Sequence, residues 1–408
     1  MRRSETILTE RSVPMTLNFN DLLFAFSSGL DYVERSFIGV TTFHARRVAY
    51  ISASIGEALG MSDQKLLDLV TCAVLHDCAL PRSYYTYPAG SPITDLAEHC
   101  LIGEKDVQDI PFYTDMKGTV LYHHENVDGS GPFHKKGNEI PETAQLIHLA
   151  DRLDAECHLD VYHDGSFLQI QNFLQAQCGI MFAEKHVELF LDIFRPELLL
   201  QMQNGSLSAL LKNKLPQRIV SHAEGQLRDL ALFFAKIIDS KSAFTRRHSI
   251  GIAEKAKIMA LYYGYGEEMQ EKLYFAGAVH DIGKLAVSNG VLEKPGKLDD
   301  KEYAHIKTHA WYTFKILSGI DGMDDIVRWA SYHHEKLDGK GYPFGKTADE
   351  LDKNSRLMAC LDIYQALTEP RPYKDGFSHK KTLSIMRDMV NRGFLDGTIT
   401  EDINHVFA

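Results

Sequence analysis

The stretch HHENVDGSGPF at residues 123–133 returns as HHEKLDGKGYP at 333–343, and the histidines around it return in step. His44 precedes His76-Asp77, and His248 precedes His280-Asp281, by the same 32 residues (76 − 44 and 280 − 248). His99 precedes His123-His124, and His309 precedes His333-His334, by 24 (123 − 99 and 333 − 309). Asp151 follows His124 by 27 residues and Asp362 follows His334 by 28 (151 − 124 and 362 − 334). Only the stretch after each His-Asp pair differs much, at 23 residues in the first half and 29 in the second (99 − 76 and 309 − 280). A fixed set of side chains recurring in one order implies that the unit spacing them recurs too. The 408 residues suffice for two units of about 200 each.

The unit reads as helical. Leu227, Leu230, Phe234 and Ile237 lie at i, i+3, i+7 and i+10, one apolar face, and HSIGIAEKAKIMALYYG continues in the same style. GYGEE, EKPGKLDD and DGKGYPFG interrupt the helices with glycine and proline. Few segments alternate as strands do. The expected fold is all-α, two tandem helical bundles covering 1–215 and 216–408. They are joined near 205–222, where NGSLSALLKNKLPQRIVSH carries Gly, Ser and Pro before a fresh helix.

Charge narrows the partners. A net charge of −11 without a basic tract disfavours polymeric nucleic acid and anionic membrane surfaces, so an anionic substrate must be held by local positive charge. The sequence has no run of 18 apolar residues, and MRRSETILTE lacks the apolar stretch of a signal peptide, which predicts a cytoplasmic chain. Six cysteines scattered without a Cys-x-x-Cys pair predict reduced, mostly buried thiols.

In the second half, LYFAGAVHDIGKLA predicts an apolar helix that ends in His280-Asp281, with Lys284 four residues after His280 on the same face. Imidazole and carboxylate donors without thiolate suit Fe, Mn, Ni or Zn better than Ca or Mg. His248, His280, Asp281, His309, His333, His334 and Asp362 are too many for one tetrahedral ion, and a carboxylate such as Asp281 can bridge two. A water between two such ions is available as hydroxide near neutral pH, and Lys284 could orient a phosphate oxygen or protonate a leaving oxygen. His305, His379 and His405 read as ordinary structural histidines. Glu335 could be a ligand too, but the favoured reading is that it supports His333 or His334 as a hydrogen-bond acceptor.

These residues carry a family resemblance. From about Leu227 to Arg387, the order HDIGK, LEKPGKL, IKTHAWYTFKIL, HHEKLDGKGYP and ACLDIYQALTEPRPYK resembles the HD-GYP subgroup of HD-domain phosphohydrolases. The resemblance implies two HD-type bundles and a bacterial signalling enzyme. Such an enzyme hydrolyses cyclic di-GMP or 3′3′-cyclic GMP-AMP to a linear dinucleotide, and sometimes on to mononucleotides, at a binuclear Fe or Mn site. It implies the seven donors above as metal ligands and Asp281 and Lys284 as catalytic. Gly341, Tyr342, Pro343, Arg371 and Lys374 would face the substrate. Arg371 and Lys374 are also the charge type that phosphates require. Some members carry an acidic residue four positions before the first histidine and hold a third metal. Phe244 stands there in this chain, so two metals are expected.

The first half resembles the same family but is eroded. His44, His76, Asp77, His99, His123, His124 and Asp151 survive. The lysine position is Leu80, GYP is replaced by GPF, and DRLDAECHLD has no counterpart to RPYK. This predicts a non-catalytic, regulatory or structural unit, with a second metal site as one alternative and a relict core as the other. Two other functions stay open for the whole chain: a non-hydrolysing cyclic-dinucleotide-binding protein, and an HD phosphohydrolase acting on another nucleotide. A homodimer or a signalling partner protein is left open as well.

Overall fold

Residues 22, 26, 30 and 33, all apolar, fall on one face of a helix and are buried there, as 3.6-residue periodicity requires. The computed structural model describes residues 15–38, 43–83, 95–203, 206–221, 225–242, 247–294, 296–370 and 375–408. The all-α expectation holds. One small sheet appears among the described residues, Thr16–Asn18 paired antiparallel with Ile219–Ser221 and Leu17 opposite Val220.

In the first half, five helices position the site: α1 (Phe19–Ile38), α2 (His44–Ala58), α3 (Asp63–Leu75), α4 (Leu96–Val107) and α5 (Glu142–Cys157). In the second half, six do: α6 (Gln226–Ser240), α7 (His248–Tyr262), α8 (Glu267–Val279), α9 (Asp300–Leu317), α10 (Asp324–Ser331) and α11 (Lys353–Thr368). Local chemistry sets several starts. Asp299 and Glu302 form a reciprocal capping box on α9, Ser62 caps α3 and Asp352 caps α11. α2 packs on α3 and α5, and α7 packs on α8 and α11, so the two halves share one packing scheme.

The halves meet through their first helices. Phe26 of α1 stacks on Phe234 at 4.5 Å and meets Phe233 at 6.0 Å, both on α6. Burying such a ring contributes roughly 1.5–3 kcal/mol. α1 also lies on the turn Ile282–Ala286, close enough that a Cβ on Gly29 would sit 2.9 Å from Leu285 Cδ1. Reciprocally, α6 packs on the turn Leu80–Ser83. Each first helix therefore braces the turn that follows the other half's His-Asp pair, and one apolar core runs through both halves.

The joining segment is more ordered than its Gly, Ser and Pro content suggests, since it holds the helix Leu207–Lys214 and the strand Ile219–Ser221. Its order comes from outside: the strand pairs with residues 16–18, and Phe19 N donates to Arg218 O at 2.8 Å. All six cysteines are free, five of them buried. Among the described residues, no helix is long and apolar enough to cross a membrane.

Candidate metal centres

The turn after α8 departs from the expected geometry. α8 ends at Val279, His280 terminates it, and Ile282–Ala286 form a 3-10 turn. Lys284 therefore does not share a helical face with His280; its Nζ sits 2.5 Å from Oδ2 of Asp281, three residues back. Gly283 explains the tight turn, because a Cβ there would lie 1.9 Å from His309 O. Gly283 N donates to Thr313 Oγ1 at 3.1 Å, and that hydroxyl donates to His280 O at 2.8 Å. The His-Asp pair is thus fastened to α9, which carries His309.

Asp281 is divided between two histidine groups. Its Oδ2 lies 3.1 Å from His280 Nε2 and 3.9 Å from His248 Nε2, and its Oδ1 lies 3.5 Å from His309 Nε2 and 3.9 Å from His333 Nε2. Asp362 closes the ring, with Oδ1 3.1 Å from His248 Nε2 and Oδ2 3.7 Å from His334 Nδ1. Donor atoms of His248, His280 and Asp281 lie within 4.8 Å of one another, as do those of His309, His333 and His334. All seven predicted second-half donors are brought together.

The residues fit a metal. His280, His309 and His333 each place Nδ1 2.6–2.8 Å from the carbonyl three residues earlier, on Gly277, Ile306 and Ala330. Donation there leaves Nε2 as a lone pair facing inward. His280 Nε2 is buried without a hydrogen-bond partner, a cost that a cation would relieve. Burial alone would raise the Asp281 carboxyl, yet His280, Lys284 and His309 outweigh it and hold it well below the usual carboxylate range. Burial also opposes charge on His248, but Asp362 and Glu369 prevail and push it up to about 9.

A cleft of about 390 Å³ opens over these groups, lined by His248, Asp281, Lys284, Lys294, His334 and Asp362. The Tyr342 ring lies 4.7 Å, centroid to centroid, from that of His334, one of the residues lining the cleft. The Glu335 carboxylate does not support a histidine. It accepts from the backbone N–H groups of Phe344, Gly345 and Lys346 at 2.7, 3.2 and 3.0 Å and so folds the Gly341-Tyr342-Pro343 loop. Gly341 must be glycine for the same reason, since a Cβ would sit 2.4 Å from Glu335 Cα. Arg371, Lys374 and Phe244 lie outside the described residues.

Sequence reasoning missed Glu369, whose Oε2 lies 3.1 Å from His248 Nδ1 and orients that ring. Its only signal is a position seven residues after Asp362, two helical turns along. His305, His379 and His405 have ordinary structural partners. His305 Nε2 accepts from Ser288 N at 3.2 Å, His379 bonds Tyr364 and Asn404, and His405 packs on Tyr262.

The first half repeats the arrangement. Asp77 Oδ1 lies 2.9 Å from His99 Nε2 and 3.7 Å from His123 Nε2, and its Oδ2 lies 3.7 Å from His76 Nε2. Asp151 Oδ1 lies 3.3 Å from His44 Nε2 and Oδ2 4.0 Å from His124 Nδ1. His76 and His123 again bond the carbonyl three residues back, at 2.7 and 2.6 Å, and His44, His76 and His123 each leave Nε2 buried without a partner. Here Asp154 does what Glu369 does, 2.6 Å from His44 Nδ1, and Arg47 anchors it at 2.6 Å. Leu80, buried at 1% exposure, fills the place of the lysine.

The loop difference is a deletion. Phe133 N and Lys135 N bond Glu125 as Phe344 N and Lys346 N bond Glu335, and Phe133 packs on Tyr122 as Phe344 packs on Tyr332, both at 5.6 Å. Gly131-Pro132-Phe133 is thus Gly341-Tyr342-Pro343-Phe344 without its tyrosine.

Fold and donors together define a class: all-helical proteins that gather histidine and aspartate in buried clusters of metal-ligand geometry. The HD domain family model matches residues 39–172 and 233–399, and the chain belongs to that family. It is 30% identical to the 3′3′-cGAMP-specific phosphodiesterase 1 of Vibrio cholerae over 99% of this chain and 95% of the relative. It is 33% identical to the 3′3′-cGAMP-specific phosphodiesterase 3 of the same organism over 65% of this chain and 57% of the relative. The solved structure of a V. cholerae cyclic GMP-AMP specific phosphodiesterase superposes with a TM-score of 0.68 at 23% identity, covering 96% of this chain and 98% of that one.

Proposed function

We propose that this chain is a metal-dependent phosphodiesterase that opens a bacterial cyclic dinucleotide to a linear one. 3′3′-cyclic GMP-AMP is the preferred substrate and cyclic di-GMP the second candidate. The preference follows the relative matched along almost its whole length, which is named for cGAMP, whereas the cyclic di-GMP phosphodiesterase of Xanthomonas campestris matches over 46% of this chain. The observation that carries the reading is the Asp281 carboxylate, one oxygen toward each histidine group, with the Lys284 ammonium 2.5 Å away on the floor of the cleft.

The catalytic unit is residues 216–408, and 1–215 is a non-catalytic partner. His248, His280, Asp281, His309, His333, His334 and Asp362 hold two divalent ions, Fe or Mn. Bound ions supply Lewis acidity toward the phosphoryl group and lower the pKa of water. Water adds its oxygen to phosphorus as the P–O3′ bond breaks. One of its protons ends on O3′ as the new 3′ hydroxyl and the other on the terminal phosphate or in solvent, leaving a linear dinucleotide. Lys284 holds a non-bridging phosphate oxygen and offsets charge as it builds. Gly341, Tyr342 and Pro343 present the ring to a base, and Arg371 and Lys374 hold the second phosphate. His44, His76, Asp77, His99, His123, His124 and Asp151 retain metal without turnover, because Leu80 supplies no charge.

The test incubates anaerobically purified, Mn²⁺-loaded protein with each dinucleotide and separates the products by chromatography. A linear dinucleotide is expected from 3′3′-cyclic GMP-AMP. Tight binding of both substrates with no product would instead make the chain a binding protein.

A further inference from the structure

The interval between the His-Asp pair and the next histidine is where the halves differ most in length, 29 residues in the second and 23 in the first (309 − 280 and 99 − 76). It differs in charge as well. Residues 282–308 carry Lys284, Lys294, Lys297, Lys301 and Lys307, whereas 78–98 contain no lysine. The longer interval also builds a wall of the cleft, since Val291, Leu292, Lys294, Gly296 and Leu298 all line it.

Two contacts tie that wall to α9. Ser288 N donates to His305 Nε2 at 3.2 Å, and Lys294 Nζ donates to both oxygens of Glu302, at 2.7 and 2.5 Å. The Lys294–Glu302 pair is partly exposed, and such pairs add little to stability. Its consequence is placement, because it fixes a long, flexible cationic side chain at the cleft wall. An ammonium has three N–H groups, so one remains after Glu302 has taken two. Lys284, the other lysine lining the cleft, is committed to Asp281 among the metal donors. Lys297, three residues on, is exposed and does not line the cleft.

We propose that Lys294 binds substrate, its ammonium holding the phosphate that is not cut, and that Glu302 is its positioning residue. The proposal rests on the phosphodiesterase reading and deepens it. A cyclic dinucleotide brings two phosphates, and a protein of net charge −11 must meet both with local cations. The phosphate at the metal donors falls to Lys284. Lys294, paired with Glu302 and with none of the seven donors, is the cleft-lining cation left for the other, alongside Arg371 and Lys374.

The experiment uses the full, Mn²⁺-loaded chain with 3′3′-cyclic GMP-AMP and with cyclic di-GMP, at matched folded fraction. Lys294→Ala should raise KM roughly 10-fold, with kcat within about threefold and metal content unchanged. Lys294→Arg, which keeps the charge, should recover most of that loss. Glu302→Gln, which retains a capping side chain on α9, should raise KM about threefold in the parent and add nothing to Lys294→Ala, since it acts through the lysine. Lys297→Ala should leave KM where it was. An unchanged KM in Lys294→Ala overturns the assignment, and so does an equal rise in Lys297→Ala, which would make the effect one of diffuse charge. If Lys294→Ala melts early, Lys294→Met, which keeps the length without the charge, must show the same KM rise for the proposal to stand. A parent that binds a dinucleotide without cutting it breaks the phosphodiesterase reading alone, and the dissociation constants of the same variants then decide for Lys294. A parent that binds neither dinucleotide overturns both.

Discussion

The two clusters share their seven donors and differ in what stands around them. Around Asp281 there is an ammonium at 2.5 Å, a tyrosine against His334 and a cleft. Around Asp77 there is a buried leucine and a loop one residue shorter. On the proposed reading, holding metal and using it are separable: the donors would serve the first, and the groups that meet an anionic substrate the second.

The sharpest way to break this comparison is the double variant in each half. His280→Ala with Asp281→Ala should cut turnover on the order of 10³-fold or more, because it deletes ligands of both proposed ions. His76→Ala with Asp77→Ala should leave kcat within about threefold once rates are corrected for folded fraction. The reverse asymmetry would invert the assignment of the halves. Chelation should likewise abolish activity, and Mn²⁺ or Fe²⁺ should restore it. Full turnover by protein shown to be metal-free would sink the metal dependence.

Lys284→Ala probes the surroundings rather than the donors. It should lower kcat about 10²–10³-fold while elemental analysis finds the metal content unchanged. Parallel loss of metal would mean that the lysine maintains the site instead of meeting the substrate. The smallest effect is expected from Arg371→Ala or Lys374→Ala, each raising KM roughly 10-fold through a lost charge-assisted contact. An unchanged KM in both single variants would remove the phosphate clamp.

Much of this was legible in the sequence because metal donors must recur at fixed spacing whenever the scaffold recurs. Even the spacing of 27 against 28 residues between the second histidine and the last aspartate had a meaning, the missing tyrosine between Gly131 and Pro132. Glu335 and Glu369 were not legible in the same way. Each acts on a group set by packing: Glu335 on a loop nine or more residues on, and Glu369 on a ring 121 residues away. Lys284 shows the limit of helical periodicity as well, since the glycine that docks on α9 ends the helix before the lysine.

The mutual bracing of the turns by α1 and α6 carries a consequence for the history of the chain. Contacts that run from each half's first helix to the other half's turn have the form of an isologous pair, the relation found between subunits of a twofold dimer. A chain fused in this way keeps both partners at a fixed ratio of one to one, at an effective concentration no dilution can lower. One partner could then shed its lysine and its tyrosine, and selection would still retain it for the surface against which Leu285 rests.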